Sequence, residues 1–190
     1  MCDEDESGDT VGRLIYELFV RRRRMQKVLV TGGNIGNHVA EMLACQGTPV
    51  RVLVRSVTPD RRWDDLGIEQ VAADAGDPAS LAPAFNGVEG FFSVSPLVEN
   101  LVQLGTNTIE AAKNAGVRYI VRSSAMGAAE KVITMGRLHR EVEKAVEAIW
   151  HPLHHSSAQH LYAELRDERG NGPERSRLLF ADERWQGQRN

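Results

Sequence analysis

Lys27-Val-Leu-Val-Thr-Gly-Gly-Asn-Ile-Gly-Asn37, followed by a helical run to Gln46 and then by Val50-Arg-Val-Leu-Val-Arg55, decides the fold of this chain. A short apolar run, a glycine turn, a helix and a second apolar run make a β-α-β unit of the kind that binds dinucleotides. Val28, Leu29 and Val30 suit a strand buried on both faces. Gly32 and Gly33 allow a sharp turn and let backbone N–H groups approach a pyrophosphate. Gly36 falls in the first helical turn, where a side chain would hold helix and strand apart. The helix N-terminus then offers free N–H groups and a partial positive charge. The expected phosphate site is therefore Thr31, Gly32, Gly33, Asn34, Ile35 and Gly36.

The glycine spacing is compressed. The extended form of this loop is Thr-Gly-x-x-Gly-x-x-Gly, and here Thr31-Gly32 runs directly into Gly33-Asn34-Ile35-Gly36. The bland alternative is a tight strand-to-helix turn that binds nothing. Arg55 stands at the end of the second strand, where the adenosine ribose would lie. An acid there hydrogen-bonds the 2′-hydroxyl of NAD, whereas an arginine favours the 2′-phosphate of NADP. The sequence thus points to NADP (NADPH) ahead of NAD, unless Arg55 is an ordinary solvated charge.

The rest of the chain continues the alternation. Helices are expected over 37–46, 59–66, 79–85, 97–115 and 138–149, and strands over 28–30, 50–54, 68–73, 88–94 and 117–121. Asp77 can cap a helix that has Pro78 at its first position. This order predicts an α/β fold: a doubly wound, Rossmann-like parallel sheet of strand order 3-2-1-4-5, with helices on both faces and irregular terminal tails.

Composition agrees with one domain. Of 190 residues 42% are hydrophobic, enough for a core, and the net charge of −3 gives no case for nucleic acid as a partner. Cys2 and Cys45 set no disulfide framework and no metal site, and a cytoplasmic location is expected. Residues 1–24 hold an acidic start, an apolar stretch too short to span a membrane, and Arg21 to Arg24. They read as a disordered extension before a domain over 25–150. A membrane-surface anchor is the alternative.

The chain resembles the NmrA-like, atypical short-chain dehydrogenase/reductase family of NAD(P)-binding proteins. The likeness rests on Val28-Leu-Val-Thr-Gly, Gly33-Asn-Ile-Gly, Val52-Leu-Val-Arg55 and Ala73-Asp-Ala-Gly-Asp-Pro-Ala-Ser-Leu81. It continues in Phe92-Ser-Val-Ser-Pro-Leu97, Ala115-Gly-Val-Arg-Tyr-Ile-Val-Arg-Ser-Ser124 and Gly136-Arg-Leu-His-Arg-Glu-Val-Glu143. The resemblance implies that Asp74 and Ala75 lie by the adenine, Ser95 and Pro96 by the ribose, and Ser123 and Ser124 by the nicotinamide. It also implies an oxidoreductase acting on a small, quinone-like acceptor; the alternatives are a non-catalytic protein that senses the cofactor's redox state or binds a partner, and an inactive truncated product. Classical members carry a Tyr-x-x-x-Lys pair. His139 stands where the lysine would be and is the candidate catalytic residue, as ribose anchor or proton donor. Met135 stands at the tyrosine position and cannot transfer a proton.

Beyond Trp150 the family pattern stops. Residues 151–190 carry four histidines in ten positions and then many Arg and Glu without an apolar period, and they are expected to be irregular. Codons for Trp150 to Arg166 can be chosen so that reading one base later gives Gly-Ile-Pro-Tyr-Thr-Ile-Leu-Arg-Pro-Asn-Ile-Tyr-Met-Gln-Asn-Phe-Ala. That resembles the strand and Arg-Pro-Asn segment of the family, and the chain reads as truncated by a frameshift near Ile149 or Trp150. Sequencing the gene checks this: the expected codons permit the shifted reading throughout, and a single incompatible codon in that span contradicts it.

Overall fold

The structure is a computed structural model and describes residues 26–125, 134–149, 161–165 and 174–182. The expected extension at 1–24 and the histidines at 151–160 lie outside the described residues.

Five parallel strands form the sheet: β1 (Val28–Thr31), β2 (Val50–Val54), β3 (Glu69–Ala72), β4 (Gly90–Val94) and β5 (Tyr119–Ala125). Between and after them come α1 (Asn34–Cys45), α2 (Arg61–Asp65), α3 (Pro78–Phe85), α4 (Leu101–Asn114) and α5 (Thr134–Ile149). The order is β3-β2-β1-β4-β5, as the alternation predicts. Val28 pairs with Val50 on one side and Gly90 on the other, which makes β1 the central strand.

Successive residues of the strands face opposite layers. Val28, Val30, Phe92 and Val121 pack with Val39, Leu43 and Trp63 on the α1–α2 side. Leu29, Phe91 and Ile120 pack with Leu81, Phe85, Ile109 and Val142 on the α3–α4–α5 side. Asp60 caps α2 by accepting from the N–H groups of Arg62 and Trp63, and Asp77 caps α3 through Ala79. Arg51 donates from Nη1 to the carbonyls of Ala84 and Asn86 at the C-terminal end of α3, 2.7 and 2.9 Å away, and pairs with Glu69.

Five expectations need correction. Helix α1 starts at Asn34 rather than Asn37, because Gly33, with φ of 115°, is itself the cap residue and no loop intervenes. Helix α4 starts at Leu101 rather than Leu97, because Val98 N–H turns back to the Pro96 carbonyl and Leu97 stays 73% exposed. Strand β5 runs on through Arg122, Ser123 and Ser124, because Arg122 and Ser123 continue the ladder against β4, Ser124 pairs with β7, and the Arg122 and Ser124 side chains find partners beneath the sheet edge. The tail is not irregular throughout. Within it, β6 (Leu161–Leu165) and β7 (Glu174–Asp182) extend the sheet, with β7 antiparallel to β5. A parallel sheet ending at β5 leaves an open row of backbone donors and acceptors that such a strand can satisfy. Cys45, expected to take part in no disulfide framework, is disulfide-bonded.

The tightest constraint lies between α1 and β1. A Cβ placed on Gly36 would fall onto the carbonyl oxygen of Thr31, and one on Gly32 would lie 2.9 Å from the Leu53 carbonyl oxygen. Neither neighbour can yield, since both are backbone atoms of buried strands. Gly36→Ala should therefore destabilise the protein by about 1–3 kcal/mol or more, as overpacked sites do. Urea unfolding checks this, and an unchanged midpoint would show that α1 can back away from the sheet.

Candidate functional site

The carboxyl ends of the five parallel strands form one edge, and the order reverses at β1, between β2 and β4. In open α/β sheets ligands bind in the crevice outside such a switch point. The geometry here shows how the crevice opens. The β1–β4 backbone ladder stops at Val30 and Phe92. Past it the Thr31 side chain takes over: Val94 N–H donates to Thr31 Oγ1 at 2.6 Å, and that hydroxyl is 3.1 Å from the Val94 carbonyl. Gly32 N–H donates to the Leu53 carbonyl. The chain then turns at Gly33 into α1, whose first N–H groups have no intrahelical partners. No side chain caps this helix end. Gly33 is exposed, and a Cβ on it would meet nothing within 4 Å, so there is room over the turn for a phosphate group. The Asn37 side chain reaches back, its Oδ1 accepting from Gly33 N–H at 3.1 Å.

The other expected residues sit along the same edge. Arg55 is exposed just past β2. Asp74 and Ala75 follow β3. There Asp74 Oδ1 accepts from Gly76 N–H, and the Ala75 carbonyl accepts from Asn107 Nδ2 of α4, both at 2.8 Å. Ser95 is buried past β4, with Pro96 exposed beside it, and Ser123 and Ser124 are buried on β5. Every expected cofactor-binding residue therefore lies on or just past the carboxyl end of a parallel strand, or in the first turn of α1.

Beneath this edge lies a buried polar layer that the sequence reading missed. Arg122 of β5 is fully buried. Its Nη1 donates to Ser95 Oγ at 2.9 Å and Ser93 Oγ at 3.2 Å, and its Nη2 is 3.5 Å from His139 Nδ1. Glu143 of α5, also fully buried, accepts from Ser124 Oγ at 2.7 Å and from Arg140 at 3.0 Å. Arg140 in turn pairs with Glu147. The signal was present in the chain: an arginine inside the apolar run Tyr119-Ile-Val-Arg-Ser, and a glutamate one helical turn after His139.

His139 belongs to this layer. Burial and the Arg122 charge push its pKa down to about 4, against a weaker upward pull from Glu143. It is neutral at pH 7, so what it offers there is a ring N–H rather than an acidic imidazolium. Burial also lowers Arg122, to about 10, against the Glu143 charge, and it stays protonated at pH 7. Met135, at the position of the family tyrosine, lies in the first turn of α5. Among the described residues no three His, Cys, Asp or Glu gather as a metal site, and no helix is long and apolar enough to cross a membrane.

The model of the NmrA-like family matches residues 24–159. The chain belongs to the NmrA-like family. The match runs to residue 159, past Trp150, where the family pattern was expected to stop. The NAD(P)H azoreductase of Xenophilus azovorans is 36% identical over 123 residues, which are 63% of this chain and 43% of that enzyme. The triphenylmethane reductase of Citrobacter sp. superposes with a TM-score of 0.60 at 28% identity, over 66% of this chain and 46% of that one. Its complex with NADP(H) gives 0.56 at 27% identity, over 65% and 46%. The NADPH-dependent quinone oxidoreductase of Escherichia coli, complexed with NADPH, gives 0.53 at 28% identity, over 64% and 44%. This NmrA-like chain spans less than half the length of each of these proteins.

The buried neutral histidine ties stability to pH. The unfolded chain protonates His139 near 6.5, whereas the folded protein resists to about 4. Stability from this group is thus complete above about 6.5 and is lost as pH falls through that window, by up to ~1 kcal/mol per pH unit. Urea midpoints at pH 7 and pH 5 should show a smaller drop for His139→Gln than for the parent chain. Equal drops would mean that His139 protonates freely in the folded protein.

Proposed function

We propose that this NmrA-like chain binds NADPH across the β1–β4 crevice, and that its reaction class is hydride transfer to a small, flat, quinone-like acceptor. The observation that carries the binding half is the open turn at Gly33 over an uncapped α1 N-terminus, set at the switch point of the sheet. Gly32, Gly33, Asn34, Ile35 and Gly36 would hold the pyrophosphate, helped by the helix dipole. Arg55 would meet the 2′-phosphate, Asp74 and Ala75 the adenine, and Ser95 and Pro96 the ribose side. Ser123 and Ser124 would face the nicotinamide, and His139, standing in place of the lysine, would donate its ring N–H to the nicotinamide ribose. When bound, the cofactor supplies the hydride. The protein's part is to orient it and keep water from its reactive face. The acceptor class rests on the azoreductase, dye reductase and quinone oxidoreductase that this chain resembles.

Met135 favours a second reading, binding without turnover. It offers no transferable proton in place of the family tyrosine, and the far wall of a substrate cleft would have to come from residues beyond the matched span. Quinones need less from such a donor than ketones do, because their reduced oxygens are far less basic.

The test is cofactor binding by fluorescence followed by NADPH oxidation with a panel of quinones. Arg55→Asp should weaken NADPH binding by roughly ten- to a hundredfold, the worth of a charge-assisted bond, and NADH binding much less. Equal losses for both would remove Arg55 from the 2′-phosphate. Quinone-dependent turnover supports the enzyme reading, and saturable binding with no turnover supports the second.

A further inference from the structure

A guanidinium carries N–H donors and no acceptor. Whatever faces Arg122 must therefore accept, and this fixes the hydrogen-bond polarity of its neighbours. Ser95 Oγ receives Nη1–H at 2.9 Å, so the Ser95 hydroxyl proton is turned away from Arg122. His139 turns Nδ1 towards Nη2, so a neutral His139 carries its proton on Nε2. That Nε2 is buried and has no hydrogen-bond partner among the described residues, although buried donors are nearly always paired. The charges acting on the ring are Arg122 from β5 and Glu143 from its own helix, while Ser93 of β4 and Ser95 just past it are neutral. Arg122 and Glu143 balance one another, so the layer presents polar donors without net charge.

We propose that Arg122 is a positioning residue for the nicotinamide half of the cofactor: by making Ser95 and His139 accept on their inner sides, it reserves the Ser95 O–H and the His139 Nε2–H as donors to uncharged ligand oxygens. The fitting ligand group is a ribose hydroxyl or a carboxamide or quinone carbonyl, rather than a phosphate. The proposal rests on the NADPH reading above and adds to it the residue that sets which hydrogens the site can give.

The experiment uses the full chain with 15N-labelled histidine. Without ligand, His139 should show the Nε2–H tautomer and no titration between pH 5 and 8. Arg122→Gln, whose side-chain oxygen can accept, should give mixed tautomers and a midpoint moved up into that range. Arg122→Lys, again donor-only, should keep the parent tautomer. Binding supplies a second reading: Arg122→Gln should weaken NADPH roughly tenfold, the worth of about one hydrogen bond, yet leave adenosine 2′,5′-bisphosphate, which lacks the nicotinamide half, unchanged. Equal losses for the two ligands would make Arg122 a purely structural residue and overturn the proposal. So would an Nδ1–H tautomer in the parent chain. If neither ligand binds the parent chain, the NADPH reading fails, and the tautomer of His139 still decides whether Arg122 sets its polarity.

Discussion

The contact between Gly36 and the Thr31 carbonyl is the constraint on which the site depends. With no Cβ in the way, the first turn of α1 lies directly on the end of β1. That closeness sets the helix N-terminus over the β1–β4 crevice, and it lets a loop of only Gly32 and Gly33 join strand to helix. The shortened loop is therefore not simply a damaged version of a longer one. Thr31 closes the β1–β4 pair with its side chain just where the backbone ladder ends, and the turn at Gly33 uses a φ of 115° that other residues rarely adopt. What the short loop gives up is the set of backbone N–H groups that two more residues would bring to a phosphate.

Below the edge the sheet is polar where a domain core would ordinarily be apolar. Arg122, Glu143 and His139 are all buried there, held by the serines of β4 and β5 and by Arg140. Such a layer costs desolvation and is worth having only if its members stay paired. Among the described residues two of its buried atoms, Arg122 Nε and His139 Nε2, have no hydrogen-bond partner and stand out for that reason. The layer also explains why β5 continues past its apolar part: Arg122 stays in register with Ser93 of β4, and Ser124 follows, because both side chains find partners in the layer.

Much of this was legible in the sequence. The alternation of apolar runs with helices gave the strand order, because each run was short, β-branched and closed by a glycine or a cap. Boundaries failed where local chemistry was overridden. A polar Arg-Ser-Ser looked like the end of a strand, and the apolar Leu97 and Val98 looked like the start of a helix, yet the former is buried and the latter exposed. The phosphate turn was readable because glycine has few other reasons to occur at those positions. The polar layer was not, because Arg122 and Glu143 are far apart in sequence and only the packing of α5 on β5 joins them. Residues 161–165 and 174–182 gave no apolar period, so their pairing along the β5 edge could not be read from pattern alone.

Cofactor binding depends on the position of the phosphate cradle, and amide NMR locates it most directly. Titrating NADP+ into the 15N-labelled chain should shift the backbone resonances of Gly33, Asn34, Ile35 and Gly36 together, with further shifts at Arg55 and Ser95. Saturable shifts confined to other parts of the chain, or none at the Gly33–Gly36 turn, would contradict it.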